Sequence, residues 1–533
     1  MAKQFQFDAD ARQQLMSGID TLAAAVGVTL GPAGRNVVLD KEFGPPYVCS
    51  DGVTIAKDIE LQEPFPNMGA QLLKEASSKT NDDVGDGTTS STVVAQAMIR
   101  DGFKVLTAGA NPLALKRGIE RAVIGARDEI RSMARPVDGK EQIEQIAVLS
   151  AHDTEMGELI AGVLDRVGPH GIVTVEESKG LDYEIDFVEG MQVDRGYLSP
   201  YFVTNQDRMV SEIENPYILV TSAKVSAVSE LLPMLEQVSQ VSRDFVLIAE
   251  DVDGEALATL VVNKLRGTLN CLAIKAPAFG DRRKAILEDM SILFGCQVIS
   301  EDTGRTLDSV TVADLGRCGR VISDKDNTTF VDGGGSEDAI QSRISQIHSQ
   351  AEDTTSDYDR EKLEERAAKL AGGVSVLRVG ASTEIELREK KQRLEDALSA
   401  SRAAMEEGIV PGGGTALLRA VQRAVANIEA EGNERTGVNL VLTAAQEPIR
   451  VISANSGLSG EVVLHRVSQE EDDYGFDAEA ERYGSMFEMG IVDPAKVTRA
   501  VLENAASVAG MVLTTESLIT ELNPMKLPAP YDD

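Results

Sequence analysis

The sequence predicts a multidomain α+β protein in which two mostly helical ends enclose an α/β middle. Three observations carry that reading. Ala11 to Thr29 sets Leu15, Ile19, Leu22 and Val26 on one helical face. From Gly171 the chain changes to short apolar runs such as Ile172, Val173, Thr174 and Val175, separated by helical stretches. Hydrophobic residues make up 42% of the chain but aromatics only 4%, with no tryptophan, which suits alanine- and valine-rich helix packing better than an aromatic-cored sandwich. The 533 residues fit about three domains of ordinary size.

The elements follow in order. Leu30-Gly31-Pro32-Ala33-Gly34 breaks the first helix. Asn36 to Leu39 reads as a short strand that Tyr47 to Cys49 can pair with, Gly69 to Ser78 as helix, and Pro112 to Met133 as a long helix. The pattern shifts at Ala134-Arg135-Pro136. In the middle, Phe245 to Ala249 and Leu272 to Lys275 read as buried strands, with Ala227 to Val241 and Glu255 to Leu265 as the helices between them. Glu337 to Leu370 is charged and helical, with a hairpin turn around Thr354 to Asp357. Glu384 to Glu407 is a long charged helix that stops at Gly408, and 415 to 521 returns to the helical style of the first 130 residues. Helical ends around an insert imply one domain built from both termini and two hinge pairs, Pro136 with Gly408 and Gly190 with Gly372-Gly373; glycines that merely end elements explain the same pattern.

Charge and cysteine usage exclude several classes. The net charge of −34 repels nucleic acid and anionic lipid. The densest basic spot, Arg282-Arg283-Lys284, is short and reads as a solvated turn. Cys49, Cys271, Cys296 and Cys318 form no C-x-x-C pair and read as reduced thiols. His152, His170, His348 and His465 show no metal spacing. No apolar signal stretch or membrane span is visible, so a cytoplasmic location is expected.

The chemistry concentrates in Gly85-Asp86-Gly87-Thr88-Thr89-Ser90, which opens a helix. Glycines let backbone N–H groups turn toward a ligand, and a helix start favours anions. The hydroxyls can reach phosphate oxygens, and Asp86 can hold a hard cation such as Mg²⁺. No G-K-[ST] occurs in the chain, so this is not a Walker loop, and Ser90 stands where a dinucleotide fingerprint needs its third glycine. A capped glycine turn accounts for the loop equally well when it is taken alone.

Five motifs in order resemble the group I chaperonins, the bacterial 60 kDa GroEL-type large subunits. They are Thr29-Leu30-Gly31-Pro32 through Gly34-Arg35-Asn36, Asp51-Gly52-Val53, Gly85 to Thr89, Asp194 to Phe202, and Glu406 to Gly414, and the similarity runs from about residue 5 to 522. The second-type chaperonins share the Gly85 to Thr89 pattern but not the Asp194 to Phe202 motif. The resemblance implies a mostly helical equatorial ATP-binding domain (1–132 and 407–533), a small α/β intermediate hinge domain (133–188 and 375–406) and an α/β apical domain (189–374) that binds unfolded polypeptide. It also implies two stacked seven-membered rings and a small lid-forming co-chaperonin.

Site residues carry over by motif. Thr29, Leu30, Gly31, Pro32, Ser50, Asp86, Gly87, Thr88, Thr89 and Ser90 would hold the phosphates of ATP, with Mg²⁺ on Asp86 and K⁺ as a further candidate ion. Asp396 would orient the attacking water from the intermediate domain, so hydrolysis would depend on domain closure, and Asp51 could assist. Without the resemblance, Asp396 is one solvated helix charge among many and Asp51 an ordinary turn aspartate. Gly413, Asp477, Ala478, Glu479 and Asp493 match the family's nucleoside contacts. Tyr197, Tyr201, Phe202, Leu232, Leu235, Leu257, Val261 and Val262 match its exposed substrate and co-chaperonin surface. The two apical helices carry more apolar residues than one buried stripe needs, although a helix buried on two sides has the same pattern.

Three positions depart from the family. Ser50 replaces a common lysine, which puts its cation contact in doubt; Asp477 replaces a common asparagine; and Pro528-Ala529-Pro530-Tyr531-Asp532-Asp533 lacks Gly-Gly-Met repeats. Two other functions are open to the residues. A small-molecule kinase would need an acceptor site, which no motif marks. A binding scaffold with a decayed nucleotide site would have lost Asp86 or Asp396, and both are present.

Overall fold

In the computed structural model, residues 3–40, 46–137, 139–151, 153–167, 172–178, 180–188, 190–206, 208–300, 304–354, 356–371, 374–470 and 472–521 are described. The Gly372-Gly373 hinge candidate, His152, His170 and the Pro528 to Asp533 tail lie outside them. The chain divides into two compact units, Met1–Asp165 with Ala381–Asp533, and Arg166–Gly380.

The first unit is a helical assembly closed by its own ends. Strand Lys3–Phe7 pairs antiparallel with Ser517–Glu521, and Lys3 meets Glu521 across the ladder at 3.1 Å. The helical reading of these ends missed both strands, because a five-residue strand whose partner lies at the far end of the chain leaves no local turn signal. Helix Asp8–Gly27 buries Leu15, Ile19, Leu22 and Val26, as the stripe requires. Full burial of each such side chain contributes about 1.5–3 kcal/mol. Against it lies Pro64–Val84, and the two backbones touch. A Cβ on Gly18 would stand 1.7 Å from the Pro66 carbonyl oxygen, and one on Gly69 2.1 Å from that of Leu15. Small residues at the crossing thus replace aromatic filler.

The hairpin Val37–Leu39 and Tyr47–Cys49 forms as expected, and Pro112–Met133 and Glu384–Glu407 are helical over the predicted spans. The 415 to 521 region holds more strand than its style predicts: Tyr474–Asp477 pairs with Arg482–Ser485, and Val492–Pro494 with Ile409–Pro411. Ladders of three or four residues are too short to show a period. At the first predicted hinge the two chain passes are joined: Arg135 and Ile409 exchange backbone hydrogen bonds of 2.9 and 2.8 Å.

The second unit is α/β. Its main sheet runs Asn270–Lys275, Asp244–Ala249, Tyr217–Val220, Gly316–Ser323, Thr328–Gly333 and Gly190–Val193, with Ser211–Glu214 also paired to Gly316–Ser323. The first three strands are parallel, and helices Val228–Val241 and Gly254–Leu265 make their crossovers. Ile172–Glu177 joins a separate sheet, parallel to Val374–Val379, whose other neighbour is the antiparallel Glu184–Val188. The charged hairpin is Glu337–Asp353 and Asp357–Ala371. It is pinned by buried Asp289, which bridges Arg343 and Arg366, each at 2.7 Å. Arg282 and Arg283, read from sequence as a solvated turn, instead start helix Gly280–Phe294 and pair with Asp359 at 3.0 Å and Glu250 at 2.6 Å. All four cysteines are free. Among the described residues no helix is long and apolar enough to cross a membrane.

Candidate functional site

The Gly85 to Ser90 loop is shaped by two left-handed glycines. Gly85, φ 69°, ends helix Pro64–Val84, and Gly87, φ 76°, starts helix Thr88–Thr107. L-residues with a side chain avoid this region, so glycine fits both turns. No side chain caps the new helix, which leaves the N–H groups of Thr88, Thr89 and Ser90 for an anion. Asp86 accepts only from the neighbouring Gly87 N–H, at 2.5 Å, among the described residues.

Three further segments converge on this turn. The hydroxyls of Thr29 and Thr89 lie 3.2 Å apart, so the Thr29 to Pro32 loop meets the glycine loop directly. Asn455 holds that first loop by donating to the carbonyls of Gly27 at 3.0 Å and Leu30 at 2.8 Å. Gly31, φ +86°, passes Ile452, while Pro32 and Ser50 are exposed. A Cβ on Gly52 would meet the Thr89 hydroxyl at 2.3 Å, so the Asp51-Gly52 turn also abuts the helix start. Asp51 itself caps helix Gly52–Asp58, accepting from Val53 N at 3.2 Å, Thr54 N at 2.9 Å and the Thr54 hydroxyl at 2.6 Å. Its carboxylate therefore has a structural task.

Helix Glu384–Glu407 lies in the same compact unit as the loop. A Cβ on Gly85 would stand 2.5 Å from the Ser399 hydroxyl and 2.6 Å from its Cβ. One turn before Ser399 sits Asp396, which accepts a 2.9 Å hydrogen bond from the Gln392 amide. Burial pushes the Asp396 carboxyl well above the usual range, and the charges of Asp51 and Asp86 add to the effect. Burial likewise raises Asp86 to about 6, with Asp51 contributing, and Asp493 to about 7, with Asp86 contributing. Asp51 acts on Asp86 and Asp396, and Asp86 acts on Asp396 and Asp493. Among the described residues no basic side chain forms a hydrogen bond or ion pair with Asp86, Asp396 or Asp493.

The nucleoside candidates divide. Asp493 faces Val410 in the ladder that leads to the glycine triplet. Gly413, φ +63°, approaches Met486 and the Phe476 carbonyl, and Gly414 starts helix Thr415–Asn427 with no side-chain cap. Ala478 is buried and Glu479 exposed at the tip of the Tyr474–Asp477 hairpin. Asp477 spends its carboxylate on its own turn, accepting from Glu479 N at 3.1 Å, Ala480 N at 3.0 Å and Arg482 Nε at 3.1 Å.

The residues present fit a magnesium nucleotide. Two uncapped helix starts and a hydroxyl cluster suit phosphates, and carboxylates without basic partners suit a cation. Among the described residues no three metal-ligating side chains come together, so Asp86 would share a Mg²⁺ ion with phosphate oxygens and water, the usual habit of that ion.

In the second unit, Tyr201, Leu232 and Val262 are exposed at 62%, 47% and 43%. Tyr197, Leu235, Leu257 and Val261 are half-buried against the core. Phe202 is a correction: it is fully buried in that core and presents no surface. Helix Val228–Val241 buries Leu231, Met234 and Val238, so one stripe is core and Leu232 is surplus. Val241 and Leu265, outside the expected set, are also exposed. A cavity of about 560 Å³ beside Met191, Ile286 and Leu363 holds none of the expected site residues.

Sequence reasoning also missed Asn455, Gln392 and Ser399. No motif marks them; they act through contacts that only the folded chain creates.

A family model, the TCP-1/cpn60 chaperonin family, matches residues 22–522. The fold is similar to the crystal structure of the chaperonin gp146 from the bacteriophage EL 2 (Pseudomonas aeruginosa), obtained in the presence of ATP-BeFx. The TM-score is 0.71 at 20% identity, covering 97% of this chain and 99% of that one.

Proposed function

The chain belongs to the TCP-1/cpn60 chaperonin family, and from that premise we propose that it is an ATP-dependent chaperonin of the group I type. The observation that carries the reading is the meeting of Thr29 and Thr89 beside Asp86, with the helix bearing Asp396 seated on Gly85. The hydroxyls of Thr29, Thr88, Thr89 and Ser90 and the N–H groups of Thr88, Thr89 and Ser90 bind and orient the phosphates. ATP would supply the bond to be broken, and Mg²⁺, which Asp86 would hold, would offset negative charge on its oxygens. Asp396 orients a water for in-line attack. Gly413, Ala478 and Asp493 line the nucleoside end. Asp51 supports the site as a helix cap.

The apical surface around Tyr201, Leu232 and Val262 would take unfolded polypeptide. Exposed apolar area gains about 25 cal/mol per Å² when a partner covers it, and a co-chaperonin's apolar segment would compete for the same residues. The proposed division is equatorial 1–132 and 407–533, intermediate 133–188 and 375–406, and apical 189–374, in two stacked seven-membered rings within the cytoplasm. K⁺ is a further candidate ion near the phosphates. The test is twofold. Mass photometry should find an assembly of about fourteen subunits, and ATP hydrolysis should be abolished in Asp396→Ala while nucleotide binding persists. A monomer with unchanged hydrolysis in that variant refutes the reading.

A further inference from the structure

Asp396 makes one hydrogen bond among the described residues, and the donor is the side chain one helical turn before it. The Gln392 amide nitrogen lies 2.9 Å from Asp396 Oδ1, and both groups are part-buried. The other main influences on this carboxylate are hostile to its charge: burial, Asp51, Asp86 and the adjacent Glu395. The Cys49 thiol is near enough to sense Asp396 as well. A water-orienting carboxylate needs a fixed direction and must keep its charge. A lysine at 392 would supply direction but would neutralise it. A neutral amide supplies direction and keeps the charge available.

We propose that Gln392 is a positioning residue for Asp396: its amide clamps one carboxylate oxygen so that the other is presented to the nucleotide site. The inference rests on the ATPase reading of that site and deepens it. Because donor and acceptor stand at i and i+4 on one helix, the clamp travels with Asp396 and remains closed wherever the helix moves. The donor also favours the ionised carboxylate against the surrounding negative charge.

The experiment uses the assembled full-length protein with Gln392→Met, which keeps length and removes the donor, and Gln392→Glu, which adds a repelling charge. Single-turnover ATP hydrolysis should slow about tenfold in Gln392→Met and further in Gln392→Glu, the loss expected when a hydrogen bond to a charged group disappears. The Kd for a fluorescent ADP analogue should stay within about twofold of the unaltered protein. Nucleotide-free cryo-EM maps should show Asp396 in one rotamer in the unaltered protein and spread over several in Gln392→Met. Unchanged hydrolysis in Gln392→Met, or a single unchanged rotamer, overturns the proposal. If the unaltered chain hydrolyses nothing, the ATPase reading fails, and the nucleotide-free maps still decide the clamp.

Discussion

Gly85 and Ser399 are in direct apposition: a Cβ added to the glycine would lie 2.5 Å from the serine hydroxyl and 2.6 Å from the serine Cβ. The turn that opens the phosphate loop and the helix that carries Asp396 thus share one seat. Because the serine Cβ is as close as its hydroxyl, a rotamer change cannot relieve the clash. Gly85→Ala should therefore displace the helix and strain a left-handed turn, at a local cost of about 1–2 kcal/mol. ATP turnover should fall at least about tenfold, with a smaller loss of nucleotide affinity. Ser399→Gly combined with Gly85→Ala should recover part of the turnover, which steady-state kinetics on the three proteins will check. No recovery argues against the seat.

Asn455 ties two carbonyls of the first phosphate loop. In Asn455→Ala the Leu30 carbonyl loses its side-chain donor and the Gly27 carbonyl keeps only the Leu30 N–H at 3.3 Å, so the loop gains freedom that binding must then remove. Nucleotide Kd should rise about five- to tenfold, while the single-turnover rate at saturating ATP changes little. Isothermal calorimetry and quenched-flow hydrolysis separate the two. A rate loss with unchanged Kd contradicts this role.

Phe202 and Leu232 should behave as opposites. Phe202→Ala removes a fully buried ring and should destabilise the second unit by about 3–5 kcal/mol. Leu232→Ser changes an exposed side chain and should leave the denaturation midpoint within error while weakening capture of a denatured protein. Urea unfolding and a light-scattering aggregation assay distinguish core from surface. The reverse pattern would return Phe202 to the binding surface.

Asp493 links stability to pH. Burial and the Asp86 charge raise its folded pKa to about 7, against about 3.9 unfolded. Between those values the native state holds the proton more tightly. The stability from this group is full below about pH 4 and is lost as pH rises through about 7. Asp493→Asn removes that slope. Nucleotide-free urea midpoints from about pH 5 to about pH 8 should move toward the variant's advantage as pH rises. Parallel curves for the two proteins would show that Asp493 is not held protonated.

Much of the first unit was legible because its signals are local. The stripe at Leu15, Ile19, Leu22 and Val26, the proline at the start of Pro112–Met133 and the stop at Gly408 each report on adjacent turns. The two turns at Gly85 and Gly87 were legible for the same reason, but the loop alone fitted a capped glycine turn equally well, and only its company with the other motifs pointed to phosphate. The outermost strands, the three-residue ladders and the helical start at Arg282 were not, since their stability comes from partners distant in sequence. The site shows the same boundary. Thr89 could be named from its motif, but its contact with Thr29 could not, and nothing beside Asp396 distinguishes Gln392 from any polar residue on a charged helix. Phe202 was misplaced because a motif fixes identity without saying which way a ring turns.

The pairing of Lys3–Phe7 with Ser517–Glu521 bears on how the chain is made. On the ribosome, residues 3–7 emerge long before residues 517–521 and must wait for everything between them before their partner exists. The contiguous 166–380 stretch can mature meanwhile as a self-sufficient block. The helical unit thus acquires this seam only after residues 517–521 have been made, and until then it carries an unmatched strand and exposed helix faces, the same liabilities that mark an aggregation-prone nascent protein.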